Sequence, residues 1–221
     1  MRPASRGIRT YETVESLIPM KSNLSIVMKR TTKLLLLVPV ALATVWIVST
    51  SRAATETPDY TTVRKDEKFE IRDYPSLTVA TTKMNDDGMN GGFGELFKFI
   101  TGTNETKEKI AMTSPVLIDT ANEKKTMSFI MPKASVEKGV PKPAANNVTL
   151  GKLDAARVVA LRFPGSRNAK NETAAIEKLN AWITNEKLKG IGKPVFAYYD
   201  PPWTPVFMRR NEVMIRIEKR P

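Results

Sequence analysis

One order of elements is written twice in this chain of 221 residues, and that duplication limits its fold more than any other feature. Residues 77–132 read strand-helix-strand-strand, and residues 156–217 read the same way, with the helix after the first strand each time. In the first half, Leu77 to Lys83 is a strand. Phe93, Leu96, Phe97 and Ile100 then recur at i, i+3, i+4 and i+7, one apolar stripe of a helix, and Gly102 stands where the helix should end. Ala111 to Asp119 reads as the next strand. Lys125 to Pro132 is another, with Met127, Phe129 and Met131 on one face. In the second half, Ala156 to Phe163 is a strand. Lys170 to Lys189 is the longest helix, with Ile176, Leu179, Trp182, Ile183 and Leu188 on its apolar side and Gly190 as its stop. Phe196–Tyr199 and Val213–Ile217 complete the unit. Lys68 to Tyr74 alternates and adds a strand, and Val148 to Leu150 adds a short edge strand. Residues 85–92, 134–147 and 200–210 read as loops. Sequence identity between the halves is slight, so the duplication is architectural. Two such units, with helices on one side of an antiparallel sheet, make an α+β domain. Its cleft is expected between a helix of one half and a loop of the other.

The first 53 residues stand apart. They are basic, holding eight of the 35 Lys and Arg residues and two of the 23 Asp and Glu residues. Leu34 to Val48 is free of charge, Lys29, Arg30 and Lys33 precede it, and Ser51-Arg52-Ala53 follows with small residues before Ala54. This is the layout of a secretory signal peptide cleaved before Ala54. An uncleaved amino-terminal anchor is the alternative, although fifteen residues is short of the roughly 20 that a helix needs to span a bilayer. A start at Met28 would give a signal peptide of ordinary layout. The expected organisation is an extension with a signal peptide or membrane anchor over 1–53 and one domain over 54–221, in a protein exported to the periplasm or secreted. The domain keeps a moderate positive charge without a dense basic run, so nucleic acid is not an expected partner.

The chain has no Cys and no His. Ser-His-Asp and Cys-His catalysis, zinc sites of His or Cys type, and ligation of a haem iron by imidazole or thiolate are therefore all excluded. Asp86-Asp87-Gly88 lacks the further oxygen ligands of a calcium loop, and no metal site is expected. Paired carboxylates would have to come from Glu70, Asp73, Glu95, Asp200 or Glu212, and nothing in the sequence brings two of them together. Asn104, Asn147 and Asn171 begin Asn-x-Thr triplets, which matter only in a host that glycosylates exported proteins.

Two stretches carry the functional signal. The first is the helix stripe with Lys98 beside it. A bulky helix face followed by a strand is ordinary core construction, and part of it can also line a pocket. The second is the loop from Tyr198 to Asn211, stiffened by Pro201, Pro202 and Pro205, in which Trp203, Phe207 and Met208 are followed by Arg209 and Arg210. Such a loop suits a flat apolar ligand with anionic groups. Packing of its aromatics onto the sheet, with solvated arginines, is the competing reading.

Motifs in five stretches resemble the SOUL haem-binding protein family. They are Phe69-Glu70-Ile71-Arg72-Asp73-Tyr74; Phe93-x-x-Leu96-x-x-Phe99-Ile100-x-Gly102-x-Asn104; Lys109-Ile110-x-Met112-Thr113-x-Pro115-Val116; Met127-x-Phe129-x-Met131-Pro132; and Tyr199-Asp200-Pro201-Pro202 with Arg209-Arg210-Asn211-Glu212-Val213. The resemblance implies a twisted antiparallel sheet with two helices. It also implies non-covalent binding of haem or protoporphyrin in an apolar groove between the first helix and the loop before the last strand. The site residues it points to are Phe93, Leu96, Phe97, Lys98 and Ile100 on the helix, and Trp203, Phe207, Met208, Arg209 and Arg210 on the loop. A branch of the family has a histidine, proposed as iron ligand, where this chain has Asp73. Enclosure of the macrocycle, with Lys or Arg on the propionates, is then what remains, with Tyr198, Tyr199 or Met208 as a weak axial ligand at most. The expected protein is a monomeric, non-enzymatic tetrapyrrole binder serving buffering, transfer or scavenging. The alternatives are a carboxylate-dependent enzyme acting on a hydrophobic small molecule in the same cleft, and a module whose groove takes a peptide.

Overall fold

In the computed structural model, which describes residues 55–84, 88–120 and 125–219, nine strands form one antiparallel sheet. The leader, its cleavage site and the Asp86-Asp87 pair lie outside the described residues. The elements are β1 (Thr61–Asp66), β2 (Phe69–Tyr74), β3 (Leu77–Lys83), α1 (Gly88–Ile100), β4 (Val116–Asp119), β5 (Thr126–Ile130), α2 (Lys133–Lys138), β6 (Thr149–Leu153), β7 (Ala156–Phe163), α3 (Ala169–Asn185), β8 (Gly190–Tyr198) and β9 (Asn211–Ile217). The spatial order is β1-β2-β7-β9-β8-β4-β5-β3-β6. The architecture is α+β, as expected, with the short α2 as a third helix.

The duplication is visible in this order. β3-α1-β4-β5 and β7-α3-β8-β9 each fold with the strand before the helix at one side, and the halves meet where β4 pairs with β8. Each half also lends a strand to the other. β2 directly precedes β3 in the chain but pairs with β7, and β6 directly precedes β7 but pairs with β3.

Residues directly opposite one another in an antiparallel sheet share a face, and the burial follows that rule. One face carries Ile71, Phe129, Val159, Leu161, Phe196, Tyr198 and Val213, packed with Leu96, Phe99 and Ile100 of α1 and with Ala175, Leu179 and Ile183 of α3. α1 lies over β3 and β5, and α3 over β7 and β9. Each fully buried Leu or Phe here stabilises the fold by about 1.5–3 kcal/mol. The opposite face has a smaller cluster of Val79, Leu117, Ile130 and Ala197.

Several boundaries differ from expectation for local physical reasons. α1 starts at Gly88, so the last part of the Gly- and Asn-rich stretch is helical, not loop. α3 ends before Lys189 in a Schellman turn. Leu188 N–H bonds Ile183 C=O at 3.0 Å, Lys187 N–H bonds Thr184 C=O at 3.0 Å, and Lys187 takes the left-handed conformation, φ 52°, which glycine usually supplies. Gly190 therefore opens β8. That strand is interrupted by a bulge between Ile191 and Val195, where Pro194 cannot donate to the ladder. The strand expected from Ala111 is regular only from Val116, and Thr113 makes an isolated bridge to Glu56.

Candidate functional site

The α1 stripe divides into two edges. Leu96 and Ile100 point into the core together with Phe99. Phe93 and Phe97 sit on the solvent edge, 40% and 47% exposed, with their rings stacked 5.8 Å apart. The Phe93 ring meets Phe129 of β5 edge-on at 5.3 Å. Lys98 is exposed and bonds Glu95 at 2.9 Å. Of the five helix residues expected at the site, the structure therefore leaves Phe93, Phe97 and Lys98 accessible.

The loop between β8 and β9 is held from inside by its own polar groups. Thr204 N–H bonds Pro201 C=O at 3.0 Å, and Met208 N–H bonds Pro205 C=O at 2.9 Å. Arg209 donates through Nε to Thr204 C=O at 2.8 Å and through Nη2 to Pro202 C=O at 2.6 Å. Arg210 N–H bonds the Asp200 carboxylate. The Arg210 guanidinium lies 3.9 Å over the Tyr199 ring and grips Glu212 with bonds of 2.9 and 2.7 Å. The two arginines are thus braces of the loop. Its apolar side chains face outward, with Trp203 80% and Phe207 82% exposed, and Met208 is half-buried. Burial inside the fold does not account for aromatics held in this way.

Register relates the two stretches. Phe129 pairs with Val116, and Val116 with Tyr198. The loop therefore leaves the sheet in the same row as Phe129, two strand spacings or about 10 Å away. On the same face, the Arg167 guanidinium stacks 3.7 Å over the Tyr198 ring, while Tyr198 OH donates to Glu172 at 2.7 Å. Arg167 Nε and Nη2 are buried without a hydrogen-bond partner. Burial draws the Arg167 pKa down, partly opposed by Tyr198 and Glu172, and burial with the Glu172 bond pushes the Tyr198 phenol well up. Sequence reasoning passed over Arg167, a lone charge in a polar turn before a helix. The signal is the unpaired burial itself, which only coordinates reveal.

The carboxylates that the sequence left apart do meet. Arg72 bonds Glu70 at 2.8 Å and Glu212 at 2.6 and 3.1 Å, and Tyr199 OH donates to Glu212 at 3.0 Å. Glu212 is 1% exposed. Burial pushes its carboxyl up, but the bonds and charges of Arg72 and Arg210 outweigh that and hold it below the ordinary glutamate value. Asp73, at the histidine position, is gripped by Arg157 at 2.9 and 2.8 Å and held low by that bond. Asn104 is a loop keystone, donating to Phe99 C=O at 3.0 Å and Glu108 C=O at 2.8 Å. Among the described residues no group of three or more carboxylates could hold a metal ion, and no helix is long and apolar enough to cross a membrane. Two cavities, of about 230 and about 400 Å³, lie beside Pro75–Thr78 and beside Ala155–Arg157, and neither is lined by the ten expected site residues.

Solved structures share this fold at low identity. The C-terminal domain of EcmrR matches 72% of this chain and 98% of its own at 12% identity, TM-score 0.51. The EcmrR–DNA complex matches 91% of this chain and 74% of its own at 10% identity, TM-score 0.52. A hydrolase from Listeria innocua matches 71% and 94% at 11% identity, TM-score 0.51. No curated protein sequence matches the chain. The family model described as SOUL heme-binding protein matches residues 55–216.

Proposed function

Because the chain belongs to the SOUL haem-binding protein family, we propose that its domain binds haem or a related tetrapyrrole between the aromatic edge of α1 and the loop preceding β9. The observation that carries this reading is the pair of outward-facing aromatic patches, Phe93 with Phe97 and Trp203 with Phe207, on elements already fixed by other contacts. A flat apolar macrocycle gains by covering both. Its propionates would be met by the exposed Lys98, since Arg209 and Arg210 are occupied within the loop. Iron would receive little from the protein. The chain has no His or Cys, and the Tyr198 and Tyr199 hydroxyls are engaged by Glu172 and Glu212. The role is non-enzymatic: buffering, transfer or scavenging, in an exported or membrane-tethered monomer. Acid–base catalysis by a carboxyl calls for a raised pKa, whereas Asp73, Glu95 and Glu212 are all held low.

The test is titration of the purified protein with haemin and with metal-free protoporphyrin. Both should bind, within about tenfold of each other, or roughly 1.4 kcal/mol. Trp203→Ala and Phe207→Ala should each weaken binding by about 1–3 kcal/mol with thermal stability unchanged. Folded variants that bind both ligands as tightly as the parent would exclude this site.

A further inference from the structure

The β8–β9 loop carries no charged residue from Pro201 to Met208, and its middle is turned outward. Pro202, Trp203, Pro205, Val206 and Phe207 are all exposed, while Thr204 among them is buried as the anchor. Large apolar side chains held together in water mark a surface that something covers. The backbone shows which medium the tip suits. Pro201, Pro202 and Pro205 have no N–H to hydrate. The carbonyls of Pro201 and Pro205 accept from Thr204 and Met208 N–H, and that of Val206 from Arg209 N–H at 3.4 Å. Those of Pro202 and Thr204 accept from the Arg209 side chain. Unpaired backbone groups are costly in an apolar medium, and a tip whose carbonyls are satisfied from within loses little on leaving water. The tip is also too small for a stable protein interface. Its two rings offer about 300–500 Å², against about 800 Å² on each partner of a specific complex. A fluid apolar phase sets no such minimum, and Trp favours the boundary between lipid and water.

We propose that this tip is a membrane-docking wedge: Trp203, Val206 and Phe207 enter the surface of a phospholipid bilayer. Asp200, Arg209 and Arg210 close the loop at its base and limit insertion to the boundary layer. The wedge does not rest on the tetrapyrrole reading. It adds a route to it, because a ligand dissolved in lipid would reach a site with one wall already standing in the bilayer. Docking is driven by apolar transfer, so it needs no anionic lipid and survives salt. That separates it from the adsorption of a basic domain to anionic surfaces.

The test uses the domain from Ala54, without the apolar leader, because every described strand and helix and both core clusters lie within it. Vesicles of pure phosphatidylcholine are added with no tetrapyrrole present. The domain should float with them, and equally so in about 1 M salt, which screens charges beyond about 3 Å. Tryptophan emission should shift to the blue. The shift should be absent in Trp203→Ala, where Trp182, already stacked on Phe69, is the remaining tryptophan of the domain. Trp203→Ala and Phe207→Ala should each lower the partition coefficient at least about tenfold, with circular dichroism unchanged. Failure of the parent to bind these vesicles, loss of binding in salt, or undiminished binding by both variants would overturn the proposal and leave the tetrapyrrole reading standing. So would a concentration-dependent dimer that moves Trp203 emission without lipid, since the occupant would then be a second copy. A domain that docks as expected but binds neither haemin nor protoporphyrin would overturn the tetrapyrrole reading alone.

Discussion

Replacing Glu212 by Gln should be among the most damaging conservative changes available in this domain. The carboxylate is 1% exposed. It accepts from Arg72 at 2.6 and 3.1 Å, from Arg210 at 2.9 and 2.7 Å, and from Tyr199 at 3.0 Å. Glutamine keeps one acceptor oxygen, turns the other into a donor facing guanidinium groups, and leaves the almost wholly buried Arg72 with only Glu70 as a counter-charge. Removing one member of a buried ion pair costs about 3–5 kcal/mol, a large part of the roughly 5–15 kcal/mol that holds an ordinary domain together. With a urea dependence of about 2 kcal/mol per molar, the unfolding midpoint followed by circular dichroism should fall by about 2 M. The charges are coupled, so Arg72→Met should cost less in the Glu212→Gln background than alone, by about 1–3 kcal/mol. A loss below about 1 kcal/mol for Glu212→Gln, or strict additivity of the pair, would refute the view that this cluster is a mutually dependent unit.

Acid should expose the same group. The Glu212 carboxyl is held below its ordinary value of 4.5, so its stabilising contribution is complete above that pH and is lost as pH falls through the folded-state pKa; the urea midpoint should decline below about pH 4.5, and more shallowly in Glu212→Gln. Leu96→Ala should destabilise by about 2–5 kcal/mol, because Leu96 is fully buried, whereas the half-exposed Phe97→Ala should lose ligand affinity with a much smaller change in thermal midpoint. Amino-terminal sequencing of the protein from its host should begin at Ala54; an intact leader on soluble cytoplasmic protein would exclude export.

The strands that the sequence revealed are those with one buried face. Phe69, Ile71, Val159, Leu161, Val213 and Ile215 alternate because every second residue meets the helices. β1 went unread because Thr61–Asp66 is an edge strand exposed on nearly every residue, with Val63 as its one aliphatic side chain, and such a strand carries no period-2 hydrophobic signal. The order of elements gave the duplication but not the pairing, since strand exchange depends on residues far apart in the chain. At the site, the helix stripe and the loop were both legible, yet spacing alone cannot tell Leu96 from Phe97, which differ by one position in helical phase. Arg209 and Arg210 read as free cations because their partners, the loop carbonyls and Glu212, become neighbours only when the loop closes on itself.

The exchange of β2 and β6 between the halves has a consequence for how this molecule could be divided. If the chain were cut within residues 139–147, one fragment would hold β2 without β7, and the other would hold β6 without β3. Neither would be a subdomain. Each would present unpaired edges matching the strand carried by the other, so the pair should reassociate as complementary fragments, with a stability that depends on their concentration. The intact chain has the logic of a closed two-fold dimer whose protomers traded their leading strands and were then joined in sequence. The 139–147 segment acts as the tether that makes this association intramolecular.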